Sequence, residues 1–176
     1  HYYTDREVWK TDKQKQIDSG FMNPNLPYIH DTAKDKKISE TFAVLHYLAN
    51  KYKKDLVPQN SEEMTHALMV QGVIADYNGA LTRPAYMSKT VEEMIQSLKG
   101  SLRYNSSKTN YFKHTLEKNN FVMGEKLCFL DFYLAELLEK LVTMQEELKE
   151  ELVDANTLKV FKDYIGNFTS LEGIKE

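Results

Sequence analysis

The chain has 176 residues, of which 41% are hydrophobic and 11% aromatic, enough to bury a core and to exclude wholesale disorder. Its formal net charge of −3 gives no general basic surface, so a nucleic-acid partner is not expected. One cysteine excludes an internal disulfide and a thiolate zinc cluster, and no apolar run approaches the roughly 20 residues that a membrane-spanning helix requires.

The first third of the chain is broken into short segments by glycine and proline. Residues 7–17 form a polar, lysine-rich stretch that fits either a helix or a loop. An extended segment is predicted over 24–31, because residues before proline are pushed toward β and polyproline conformations. A polar turn and a short second strand at 37–39 follow. Apolar residues at three- and four-residue spacing then predict a helix over 41–52.

The remainder of the chain, after a linker at 54–60, has the periodicity of amphipathic helices. Helices are predicted over four ranges: 61–82, 90–118, 129–149 and 157–168. On the first of these helices, burial is expected for Leu68, Met69, Val73 and Ile74. The predicted fold class is therefore an α+β domain at 1–54 followed by an all-helical domain at 60–176.

Residue patterns of independent catalytic sites are not found in the sequence. The five histidines form no i,i+4 pair, so no metal site is expected, and the seven glycines form no phosphate-binding loop. Cys128 opens an apolar helix, which indicates a buried cap position rather than a nucleophile. Thr90 and Glu93 have the spacing of a helix capping box.

Two local features indicate a ligand site. In the first, Leu26 precedes Pro27 at the start of a strand, and a cis bond there would leave the Leu26 backbone free to pair with a peptide-like ligand. In the second, Ser39–Thr41 opens a helix, where a hydroxyl and free N–H groups suit a ligand carboxylate. Taken singly, the first is better explained as a turn and the second as a helix cap.

Together, Asn25–Tyr28 and Ile38–Leu48 resemble the glutathione-binding half of the cytosolic glutathione transferase family. Residues 121–132, Phe-Val-Met-Gly-Glu-Lys-Leu-Cys-Phe-Leu-Asp-Phe, resemble the capping box of that family's C-terminal domain. Segments 5–13 and 168–174 look most like the mu class. The resemblance covers essentially the whole chain and implies an incomplete thioredoxin-like unit, with Pro27 cis, followed by the helical domain.

The resemblance also implies roles for individual residues. In the family, the residue before the cis-proline, here Leu26, pairs with the cysteinyl backbone of glutathione. Glu40 and Thr41 correspond to the pair that holds the γ-glutamyl carboxylate. Contacts with the glycine end of the tripeptide are implied for four residues: Arg6, Trp9, Lys13 and Asn25. Asp76 resembles an aspartate that reaches across a dimer to the glutathione amino group, and Tyr86 resembles a tyrosine of the electrophile pocket.

Three positions depart from the family pattern. The Tyr or Ser that activates the thiol would lie N-terminal to His1, so the chain is expected to be part of a longer one. Asn23 occupies the position of the aromatic residue that locks mu-class dimers, with Phe21 as the alternative if the segment is a few residues longer than usual. Cys128 replaces the Ser or Thr of the capping box, although Asp131 is expected to reach back to the cap backbone.

Two functions of different classes follow from the resemblance. The first is an enzyme that conjugates the glutathione thiolate to small electrophilic hydrophobic compounds, a cytoplasmic homodimer active in detoxification. The second is a catalytically inactive transferase-like subunit that has a structural or binding role in a larger assembly. A tyrosine upstream of His1, near the end of a first strand, would favour the enzyme.

Overall fold

The computed structural model describes residues 6–174, and side chains from residue 7 onward. The chain divides into two compact units, residues 1–54 and 55–176. A single 3₁₀ turn lies at Lys54–Leu56. No described helix is both long enough and apolar enough to pass through a lipid bilayer.

The first unit is a small α+β arrangement, as predicted. Its elements are α1 (Arg6–Asp18), β1 (Tyr28–Asp31), β2 (Lys36–Ser39) and α2 (Thr41–Tyr52). The strands pair antiparallel, with Tyr28 opposite Ser39 at one end and Asp31 opposite Lys36 at the other. The extended segment becomes a strand only at Tyr28, after the prolines, which have no N–H to donate to a ladder.

Polar contacts fasten the elements of this unit to one another. The Lys37 ammonium on β2 donates to Gln16 Oε1 at 2.8 Å and to Ser19 Oγ at 2.9 Å, which ties the end of α1 to the hairpin. Near the same turn end of the hairpin the buried carboxylate of Asp31 accepts hydrogen bonds from Tyr47 and from Lys51, both on α2. The Lys51 and Tyr47 donors lower the pKa of Asp31 to about 2.

The second unit is helical throughout, as predicted. Its elements are α3 (Ser61–Met87), α4 (Val91–Tyr104), α5 (Ser106–Lys118), α6 (Phe129–Leu148) and α7 (Ala155–Thr169). Fully buried side chains from several of these helices form its core, among them Tyr77, Phe112, Leu134, Leu138 and Phe161.

Three expectations for this unit are wrong. The first helix runs on through Pro84 to Met87, and the buried Pro84 ring packs within its last turns. The range 90–118 is two helices, because the chain breaks at Asn105, whose side chain donates to Ser101 O at 2.9 Å and so competes with the helix backbone. Leu68 and Met69 are 59% and 53% exposed.

A buried carboxylate organises the start of α6. Asp131 Oδ2 accepts the Cys128 N–H at 2.9 Å, which confirms the expected reach to the cap backbone. Asp131 Oδ1 accepts the Val122 N–H and the Tyr164 hydroxyl, both at 2.8 Å. Burial raises the pKa of Asp131, and the N–H donors oppose that rise.

Cys128 lies buried at the N-cap of α6, as the sequence predicts. Burial is the main cause that raises the pKa of its thiol, and the nearby Asp131 charge adds to it. The thiol therefore has a structural place and not the exposed, cationic surroundings of a nucleophile.

Candidate functional site

The candidate site of the first unit lies at one end of the β1–β2 hairpin. Tyr28 and Ser39 form the last pair of the ladder, so Leu26–Pro27 and Glu40–Thr41 leave the sheet side by side. Neighbouring strands are about 4.8 Å apart, which keeps these two dipeptides within reach of one ligand. The Leu26–Pro27 peptide bond is cis, which confirms that expectation.

The loop before β1 is braced against the start of α2. Ser39 Oγ donates to Asn23 O at 2.6 Å, and Asn23 Nδ2 lies 3.5 Å from Glu40 Oε1. Leu26 is 43% exposed, and within residues 6–174 its backbone forms no hydrogen bond. An exposed backbone of this kind can pair with an extended ligand in the manner of an added strand.

Glu40 has an unusual backbone conformation at the entrance to α2. Its φ of 72° and ψ of 121° are rare for a residue with a side chain, and such conformations cost on the order of 1–3 kcal/mol. Glu40 supplies the first helical acceptor, because its carbonyl accepts the Val44 N–H at 2.9 Å. Its side chain makes no capping bond to the helix.

Thr41 is the first residue of α2, and its side chain is half-buried. Among the described residues its hydroxyl has no hydrogen-bond partner. An uncapped helix N-terminus carries partial positive charge and unpaired N–H groups. A hydroxyl donor at this position therefore suits a carboxylate.

Helix α1 contributes an aromatic side chain to the same end of the hairpin. The Trp9 ring stacks on Tyr28, with centroids 6.2 Å apart and an interplanar angle of 28°. Lys13, one turn further along α1, is exposed. The Arg6 side chain, also predicted to contact the ligand, lies outside the described residues.

A cavity of about 610 Å³ lies between α1 and Tyr28. Val8, Asp12 and Gln16 are among its lining residues, and none of the predicted site residues lines it. Tyr28 is shared between this cavity and the stack with Trp9, and its hydroxyl donates to Asp12 at 3.4 Å. Tyr28 is not among the predicted site residues, although alternation along a short strand places it on a half-buried face.

Asp76 and Tyr86 belong to the second unit, where both lie on α3. Their exposures are 67% for the Asp76 side chain and 84% for Tyr86. The sequence shows no cation at i±4 from Asp76, but Lys108 of α5 places its ammonium 3.5 Å from Asp76 Oδ2. That partner comes from another helix, so spacing along α3 could not reveal it.

The structure thus brings together five of the predicted residues around one hairpin end: Trp9, Asn25, Leu26, Glu40 and Thr41. Groups of three or more His, Cys, Asp or Glu side chains that could hold a metal ion are not found in the part of the chain that the structure describes. The arrangement offers backbone pairing, an uncapped helix end and an aromatic wall, which together suit a short anionic peptide.

Proteins whose family is known are similar in sequence to this chain along most of its length. A glutathione S-transferase of Tyrophagus putrescentiae is 33% identical over 147 residues, which cover 82% of this chain and 61% of the relative. Glutathione S-transferase Mu 1 of Bos taurus is 29% identical over 170 residues, covering 97% of this chain and 70% of the relative. The chain therefore spans about three fifths of the first relative's length. No protein-family profile matches the chain.

Solved structures show the same fold. The crystal structure of the glutathione S-transferase Blo t 8 superposes with a TM-score of 0.64 at 23% identity, covering 93% of this chain and 74% of that one. A glutathione transferase homologue from Sulfitobacter, solved with bound glutathione, gives a TM-score of 0.61 at 17% identity, covering 94% and 79%.

The fold is that of a glutathione transferase, with part of a thioredoxin-like unit followed by an all-helical unit. The chain is a member of the glutathione transferase family, and among its classes it is most like mu.

Proposed function

We propose that this chain is the larger part of a glutathione transferase, which conjugates the glutathione thiolate to small electrophilic hydrophobic compounds. The observation that carries the proposal is the meeting of Leu26, Glu40 and Thr41 at one end of the hairpin. A free backbone edge and an uncapped helix N-terminus match the peptide and the carboxylate of a γ-glutamyl tripeptide.

In this proposal the first unit holds the tripeptide in a fixed pose. The γ-glutamyl carboxylate lies at the start of α2, where the helix dipole and the Thr41 hydroxyl favour negative charge. The cysteinyl backbone pairs with Leu26. The glycine carboxylate lies beside Trp9 and Asn25 and is attracted by the Lys13 ammonium. The family resemblance assigns Arg6 to the same end of the tripeptide.

Positioning of this kind contributes to catalysis by converting an encounter into an aligned reaction. The thiol must also be ionised near neutral pH from an ordinary pKa of about 8.5, and lowering that pKa by one requires about 1.4 kcal/mol of stabilisation of the thiolate. We assign that activation to a Tyr or Ser N-terminal to His1. Tyr86 is proposed to line the electrophile pocket.

We further propose a homodimer, cytoplasmic and engaged in detoxification, in which Asp76 of one subunit meets the amino group of glutathione bound to the other. The exposure of the Asp76 carboxylate, 67%, supports this role, because the group is accessible to a ligand. Binding energy from both ends of the tripeptide would then fix the thiol between them.

The second candidate function is that of a catalytically inactive, transferase-like subunit with a structural or binding role in a larger assembly. One observation favours it. Asn23, at the position of the aromatic dimer lock, has its carbonyl and amide directed to Ser39 and Glu40 of its own chain. Conjugation of an aryl halide by the full-length protein separates the two candidates, since the inactive subunit would bind glutathione without turnover.

Replacement of Thr41 tests the binding site itself. Thr41→Ala removes the hydroxyl donor to the ligand carboxylate, and a hydrogen bond to a charged group contributes roughly 1.5–3 kcal/mol, so glutathione should bind about tenfold more weakly or worse. Titration calorimetry on the full-length protein measures this, with Thr41→Ser as the control that keeps the hydroxyl. If Thr41→Ala binds glutathione as tightly as the wild type does, Thr41 does not contact the ligand and its role is confined to opening α2.

A further inference from the structure

The break between α4 and α5 sets up a chain of polar contacts that ends at Asp76. Asn105, at the break, donates from Nδ2 to Ser101 O at 2.9 Å, so its side chain is fixed to the end of α4. Its Oδ1 accepts a hydrogen bond from Lys108 Nζ at 3.2 Å. The same ammonium lies 3.5 Å from Asp76 Oδ2 on α3.

Lys108 is held in place more firmly than an ordinary surface lysine. Its side chain is 25% exposed, against 67% for Asp76, so the ammonium is partly enclosed while the carboxylate faces solvent. Only Oδ2 of the carboxylate is engaged, and a carboxylate has room for several donors on its two oxygens. A second cation can therefore reach Asp76 without displacing the first.

We infer that Lys108 is a specificity-determining residue that weakens the hold of Asp76 on the amino group of a ligand. The inference rests on the proposed function, in which Asp76 receives the glutathione amino group. Two ammonium groups on one carboxylate repel each other and share its charge. The Lys108–Asp76 distance exceeds the usual 2.7–3.2 Å of a hydrogen bond, so Lys108 does little to orient the carboxylate in return.

The expected effect of Lys108 on ligand affinity is small, because solvent and salt screen charges at an exposed carboxylate. Lys108→Met keeps the length and the helix preference of the side chain and removes the charge. Glutathione should then bind the full-length protein about threefold more tightly, which corresponds to ~0.65 kcal/mol at 25 °C. Lys108→Arg keeps the charge and should leave the affinity near that of the wild type.

Two controls separate this charge effect from a change in structure. Glutaryl-cysteinyl-glycine, which is glutathione without its amino group, should bind the wild type and Lys108→Met equally. In an Asp76→Asn background, Lys108→Met should no longer tighten glutathione binding. Titration calorimetry measures all the affinities, and circular dichroism establishes that each variant is folded.

The outcomes distinguish the inference from the proposed function. If glutathione does not bind the wild type, the proposed function and the inference both fail. If Asp76→Asn weakens glutathione binding and Lys108→Met leaves it unchanged or weaker, the inference alone is overturned. If Asp76→Asn has no effect on glutathione affinity, the proposed role of Asp76 and the inference both fail. The proposed site at Thr41 is tested separately by Thr41→Ala.

Discussion

The two units of the chain differ in the interactions that stabilise each of them internally. Among the described residues of the first unit, buried apolar side chains are confined to Pro24, Val44 and Ala49. In the second unit α6 alone buries nine residues, most of them leucine. Apolar burial contributes roughly 25 cal/mol per Å², so the second unit has its own source of stability, whereas the first depends on polar contacts between its elements.

The same contrast appears in the backbone. Glu40 and Lys149 both have a positive φ, 72° and 54°. Lys149 ends α6 in the ordinary left-handed conformation of a helix C-cap, with ψ of 38°. Glu40, with ψ of 121°, lies outside that region and at the candidate site. A third positive φ, 45° at Asp35, lies in the turn between β1 and β2. Of these three residues, only Glu40 lies at the candidate site.

The largest expected effect is in the second unit, at Asp131. Asp131→Ala leaves two buried donors without an acceptor, the N–H groups of Val122 and Cys128, and the Tyr164 hydroxyl keeps only its longer contact with the residue 131 carbonyl at 3.3 Å. Each buried unsatisfied group costs about 1–3 kcal/mol, so the free energy of unfolding should fall by about 2 kcal/mol or more. Urea unfolding followed by circular dichroism measures the loss.

Asp163→Ala is the control for this change, because Asp163 pairs with Lys159 on the exposed face of α7 and such pairs contribute about 0–1 kcal/mol. If Asp131→Ala unfolds the protein, Asp131→Asn, which keeps one acceptor oxygen, provides a smaller loss to measure. Similar losses for Asp131→Ala and Asp163→Ala would contradict the idea that this unit depends on its buried network.

A smaller effect is expected in the first unit and depends on pH. The pKa of Asp31 is about 2 in the folded chain, below its ordinary value of 3.8, so its contribution to stability is present above 3.8 and is lost as pH falls toward 2. Trp9 is the chain's one tryptophan and lies in this unit, so its fluorescence follows the first unit selectively.

Asp31→Asn should weaken the first unit at neutral pH and flatten the fluorescence change that is expected of the wild type between pH 4 and 2. Asp18→Asn, at an exposed position of the same unit, is the control and should keep the wild-type profile. An unchanged acid profile in Asp31→Asn would mean that the contacts of Asp31 with Tyr47 and Lys51 do not hold α2 to the hairpin.

The smallest changes in stability are expected for glycine at Glu40 and Lys149, two of the three described non-glycine residues with a positive φ. Lys149→Gly and Glu40→Gly both relieve backbone strain, and the larger freedom of glycine in the unfolded chain offsets part of the gain, so each variant should be about 0.5–1 kcal/mol more stable. Only Glu40→Gly should also weaken glutathione binding. Thermal unfolding and calorimetry on the two variants measure both quantities, and equal glutathione affinities would place Glu40 outside the site.

Local chemistry makes much of the first unit predictable. Prolines before a strand, a polar turn, and apolar spacing from Thr41 to Tyr52 identify the hairpin and α2 from residues close in sequence. The two local features at Leu26–Pro27 and Ser39–Thr41 follow in the same way, as short motifs at the ends of predicted elements, and the other candidate residues come from the family resemblance. The Trp9–Tyr28 stack escapes prediction because it joins residues of two elements, which no local pattern records.

The errors in the second unit have different sources. Local preference predicts that α3 ends before Pro84, yet packing overrides that preference and the helix continues to Met87. The break at Asn105 has a signal in the sequence, since Asn-Ser-Ser is a run of residues that compete with helix hydrogen bonds. The pairing of Lys108 with Asp76 is hidden when the helix that carries Lys108 is predicted to run unbroken from 90 to 118.

The burial of Cys128 has a consequence for a protein proposed to handle electrophiles. Alkylating agents are attacked by thiolates, and the one cysteine of this chain is buried and kept protonated by a raised pKa. In the folded chain, Cys128 is therefore protected from electrophiles that react with glutathione. Because Cys128 becomes reactive only when the start of α6 opens, the extent of its alkylation measures how often the second unit unfolds there, without any label being added.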